Sequence, residues 1–72
     1  MTITLTDAEK LNMINQHIKN SITNTFNLQL TLISEQAVSA PNTEVIASIN
    51  SQIDEQVARQ LALEAEAEKL TV

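Results

Sequence analysis

The sequence predicts an all-α protein: an antiparallel two-helix hairpin, coiled-coil-like, that is expected to dimerise into a four-helix bundle. Three observations predict it. Apolar residues recur at helical spacing through two long segments, the single proline stands between those segments, and the chain contains no glycine. Without glycine the cheap route to positive φ is missing, so tight hairpin turns and phosphate-cradling loops are poorly supported and long elements are favoured.

The first helix has a legible start. Thr6-Asp7-Ala8-Glu9 has the spacing of a capping box, in which the Thr6 hydroxyl accepts from the Glu9 N–H and the Glu9 carboxylate accepts from the Thr6 N–H. Asp7 adds negative charge where the helix dipole favours it, and Leu5 is placed to staple onto Lys10 or Leu11. From there Leu11, Ile14, Ile18, Ile22, Phe26, Leu30 and Ile33 form one stripe, with Leu28 and Leu32 at its flank. Their mean step of about 3.7 residues lies close to the helical period. A strict seven-residue repeat is broken, because Ser21 and Thr25 fall where a repeat counted from Leu11 asks for leucine. A stripe period slightly above 3.6 points to nearly straight or weakly right-handed packing.

A competing pattern runs through part of this helix. Phe26, Leu28, Leu30 and Leu32 alternate with Asn27, Gln29 and Thr31, as the faces of a half-buried strand do. A strand over residues 25–33 would have only residues 2–5 as a partner, while the helical stripe continues unbroken through the same segment. Helix is therefore the expectation, with weak local propensity marking this stretch as the place to bend or fray.

Pro41 disfavours helical geometry at Ala40, which puts the end of the first helix near Ser39 and a connector at residues 40–43. Asn42 or Thr43 can cap the second helix, with Glu44 in its first turn. Ile46, Ile49, Ile53, Val57 and Leu61 form the second stripe, and Leu63, Ala67 and Leu70 continue along its edge. The predicted helices are therefore residues 7–39 and 44–69 of a single 72-residue domain, and a connection this short makes them antiparallel neighbours. Glu64 and Glu68 approach the apolar edge, so the final turn is expected to face solvent and residues 71–72 to fray.

Function is constrained mainly by what the composition excludes. There is no cysteine, so disulfides and thiolate metal sites are ruled out, and no glycine-based nucleotide or nucleophile motif can exist. His17 is the only histidine, with no acidic residue three or four positions away, and is expected to be structural or exposed. Asp54 and Glu55 diverge around a helix, whereas Glu64 and Glu68 share a face, where a solvated acidic surface is a simpler reading than a cation site. No catalytic, cofactor-binding or metal-binding residue is assigned, and an enzyme is not expected.

The net charge of −5 arises entirely in residues 35–72, since residues 1–34 sum to zero. Four scattered cations, Lys10, Lys19, Arg59 and Lys69, make no basic face, so neither nucleic acid nor a membrane surface is an expected partner. With no leader-like or bilayer-length apolar segment, a soluble cytoplasmic location is expected. The leading expectation is a non-enzymatic structural or protein-interaction module. Its face, Leu11, Ile14, Ile18, Ile22, Phe26, Leu30, Ile33, Ile46, Ile49, Ile53, Val57 and Leu61, would meet a second copy or a partner helix. The alternative is a small acidic regulator that covers a basic surface of a nucleic-acid-handling protein. Asn15, Gln29, Gln36, Gln52, Gln56 and Gln60 lie within or beside the stripes, either as rim residues or as buried amides that set register.

Overall fold

A computed structural model describes residues 3–70. It contains two helices, α1 (Asp7–Gln36) and α2 (Thr43–Leu70), packed along one another as a hairpin with extents of 60 × 19 × 18 Å. Among the described residues there is no strand: residues 25–33 lie inside α1 and residues 3–6 lead into it without regular structure. The helical period prevails over the alternating one here because a lone strand would leave its backbone N–H and C=O groups unpaired. Thr25 and Thr31, which look strand-like in sequence, donate their hydroxyls to the carbonyls of Ser21 (2.9 Å) and Asn27 (3.0 Å) one turn back.

The start of α1 is the capping box the sequence spells. Thr6 N–H donates to Glu9 Oε1 and Glu9 N–H donates to Thr6 Oγ1, both at 3.1 Å. The Thr6 backbone N–H, followed by the Thr6 hydroxyl, holds the Glu9 carboxyl below the usual glutamate range. Leu5 lines an open cleft together with Met13 and Ile14 of α1 and Glu66 and Leu70 of α2, at the open end of the hairpin.

Helix α1 ends at Gln36, one turn before the expected Ser39. Ala37 N–H donates to the carbonyls of both Ile33 (3.1 Å) and Ser34 (3.3 Å), which tightens and closes the last turn. No described residue has positive φ. A chain that reverses without a left-handed residue needs more positions to do so, and the reversal spreads over residues 37–42. Asn42 then caps α2: its Oδ1 accepts from the N–H groups of Glu44 (3.0 Å) and Val45 (3.2 Å), while its own N–H donates to Glu35 Oε1 at 3.4 Å. That last bond ties the end of one helix to the start of the other.

The seam between the helices is narrow. On α1 the half-buried or buried residues are Leu11, Ile14, Ile18, Ser21, Thr25, Leu28, Leu32 and Glu35; on α2 they include Ile46, Ile49, Ile53, Gln56, Gln60, Leu63, Ala67 and Leu70. Both series step alternately by three and four. The buried positions thus keep a seven-residue spacing through Ser21 and Thr25, where the sequence lacks leucine. The end of α2 is also corrected: Ala67 and Leu70 are half-buried, so the last turn packs and does not merely face solvent. The helix reaches Leu70 because that turn has the start of α1 and Leu5 to cover it. The expectation of fraying at 71–72 concerns residues outside those described.

Among the described residues only Ile49 (5 % exposed) and Ser21 (6 %) are buried. Truncating Ile49→Ala should therefore cost about 2–5 kcal/mol, a large part of the stability of so small a domain, whereas Thr23→Ala on the outer side should stay within about 0.5 kcal/mol. Urea titration followed by circular dichroism measures both. The capping box adds a pH signature. Because folding lowers the Glu9 pKa, its contribution is complete above the ordinary glutamate value and is lost as pH falls through the lowered one. The stability gap between the wild type and Glu9→Ala should accordingly close on acidification below the glutamate range, as melting curves across pH 7 to about 2.5 would register.

Candidate interaction face

The twelve apolar residues read as one interaction face divide into two sets of six. Leu11, Ile14, Ile18, Ile46, Ile49 and Ile53 lie in the seam, buried or half-buried. Ile22, Phe26, Leu30, Ile33, Val57 and Leu61 are exposed, Phe26 at 57 %, Leu61 at 59 % and Ile33 at 62 %. Sequence reasoning missed Leu28, Leu32, Leu63, Ala67 and Leu70 as seam residues. The signal for them is present: the alternating steps of three and four continue through Ser21 and Thr25, whose small polar side chains interrupt the apolar repeat without interrupting the seam.

The division has a simple geometry. In α1, Ile22 follows Ser21, Phe26 follows Thr25 and Ile33 follows Leu32. In α2, Val57 follows Gln56 and Leu61 follows Gln60. In each case the apolar side chain stands one residue past a seam position, a rotation of about 100° around the helix. Residues one before a seam position, such as His17, Asn24, Gln52 and Arg59, line the grooves on one flank of the hairpin. Antiparallel helices carry the residues that follow seam positions together on the other flank, so both displaced sets emerge on the same side.

The centre of the seam is consequently polar. Taken in opposite directions along the two helices, the seam positions put Ser21 level with Gln60 and Thr25 level with Gln56, midway between apolar ends. Thr25 and Gln60 are satisfied within their own helices. Thr25 donates to the Ser21 carbonyl, Gln60 Nε2 donates to Glu64 Oε1 at 3.0 Å, and among the described residues no buried side-chain polar atom lacks a partner. Asn15, Gln29, Gln36 and Gln52 are exposed, so of the six amides considered only Gln56 and Gln60 enter the seam.

The flank opposite the apolar one is rich in amides. An open cleft of ≈ 460 Å³ is lined by residues including His17, Asn20, Asn24, Gln56 and Arg59, and a second of ≈ 290 Å³ shares Asn24 and Gln56 and continues to Asn27, Thr31 and Gln52. The lining can donate and accept hydrogen bonds, and it carries no carboxylate. His17 is exposed at the edge of this groove.

The carboxylates do not converge. Among the described residues, no three acidic or histidine side chains gather as a metal site would require. Glu64 is half-buried and accepts from Gln60, and Lys69 Nζ pairs with Glu66 at 2.9 Å across one turn. That pair is an exposed contact of the kind that contributes about 0–1 kcal/mol.

Compared with protein-family models, curated proteins and solved structures, the chain matches none. Its function has to be argued from its own surfaces.

The polar layer makes a specific demand. Replacing Gln56 and Gln60 together by leucine should restore apolar packing at mid-seam and raise stability by about 1 kcal/mol or more, seen as a gain of about 4–8 °C in Tm. A loss of stability in that double variant would mean that the amides are required where they stand.

Proposed function

We propose that this chain is a non-enzymatic, self-associating helical hairpin, a structural or protein-interaction module that acts through helix pairing. The observation that supports it is the exposed apolar flank formed by Ile22, Phe26, Leu30, Ile33, Val57 and Leu61. Contiguous apolar surface of this kind is retained where it meets a partner. The partner best suited to it is a second copy or another amphipathic helix, giving a four-helix bundle or a docked helix. Among the described residues no helix is long and apolar enough to cross a membrane. The scatter of the four cations gives no footprint for nucleic acid, and the carboxylates offer no constellation for catalysis.

The acidic-regulator reading draws on the same −5 charge but has less support. Glu44, Asp54, Glu55, Glu64, Glu66 and Glu68 are distributed around α2 instead of lying along one strip, as complementarity to a basic groove would require.

Sedimentation equilibrium of the full chain at tens of micromolar tests the proposal. The expected result is a mass near twice the 7.9 kDa of the monomer. A helical, cooperatively melting monomer across that range would overturn self-association.

A further inference from the structure

We infer that the second copy docks through α1 itself, with the two α1 helices antiparallel about a two-fold axis that passes between Phe26 and Leu30. This deepens the proposed self-association by naming the face and the arrangement. The exposed apolar flank is not uniform in charge. Between Lys19 and Glu35, α1 carries no charged residue over residues 20–34, whereas Asp54 and Glu64 stand beside Val57 and Leu61 on α2. Two copies of a chain with net charge −5 repel each other. A contact centred on the uncharged stretch brings apolar surface together while keeping the acidic helix at the rim, where water and salt screen it.

The arrangement suits a symmetric dimer. An isologous interface must be complementary to itself. Read in either direction, the α1 stripe runs from an isoleucine at one end, Ile22, to an isoleucine at the other, Ile33, with Phe26 and Leu30 between. Antiparallel pairing thus sets Ile22 against the partner's Ile33 and Phe26 against the partner's Leu30, with Gln29 beside the axis. The chain as a whole exposes 5537 Å², against the about 4,400 Å² expected of a compact monomer of its mass, so its 60 × 19 × 18 Å rod leaves surface for a second copy to cover.

The absence of cysteine makes the test direct, because one introduced thiol reports one position. The full chain carrying Gln29→Cys is expected to form disulfide-linked dimers on mild oxidation, and the chain carrying Asn24→Cys, on the amide flank, is not. Independently, Phe26→Asp should weaken dimerisation about tenfold or more in sedimentation while leaving helical content unchanged, since Phe26 lies outside the intramolecular seam. If the wild type dimerises but Asn24→Cys cross-links in preference to Gln29→Cys, or Phe26→Asp dimerises as the wild type does, the assigned face is wrong and self-association stands. A wild type that stays monomeric overturns both.

Discussion

The division between buried seam and exposed apolar flank follows from a mismatch between two periods. A pair of helices packs along a seam that needs a side chain about every 3.5 residues, while the apolar residues of α1 recur about every 3.7. Stripe and seam coincide at Leu11, Ile14 and Ile18 and separate after one more turn. From Ser21 onward the seam takes whichever side chain the seven-residue register delivers, and the stripe rotates out onto the flank.

The same separation occurs in α2, at the same level of the hairpin. Ile46, Ile49 and Ile53 lie in the seam, Gln56 and Gln60 then occupy it, and Val57 and Leu61 move outward. A drift in one helix alone would leave scattered exposed residues of the kind any protein tolerates. Coincident drift in two antiparallel helices gathers the exposed residues on one side. The polar middle of the seam and the apolar outer flank are therefore two consequences of one offset, and the stability forgone at Ser21, Thr25, Gln56 and Gln60 is matched by surface available to a partner.

The ends of the hairpin compensate for its weak middle. Asn42, Glu35 and the bifurcated hydrogen bond from the Ala37 N–H hold the connector, and the capping box holds the start of α1 at the open end. These are mostly local interactions between residues close in sequence, which is why a chain with so little buried among its described residues can adopt one defined hairpin.

The sequence by itself determined the fold class, the capping box at Thr6–Glu9 and a connector around Pro41, and it narrowed the second cap to Asn42 or Thr43, because each is written in residues a few positions apart and obeys local sterics and hydrogen bonding. It also named twelve apolar residues but placed them all on one face, since a period alone cannot say which neighbour a stripe meets. Only the tertiary structure decided that Leu11, Ile14, Ile18, Ile46, Ile49 and Ile53 go to the seam while Ile22, Phe26, Leu30, Ile33, Val57 and Leu61 remain outside. The physical reason is that the seam's spacing belongs to the pair of helices. It is set by how two cylinders of side chains interlock, and that condition appears only when both are in contact.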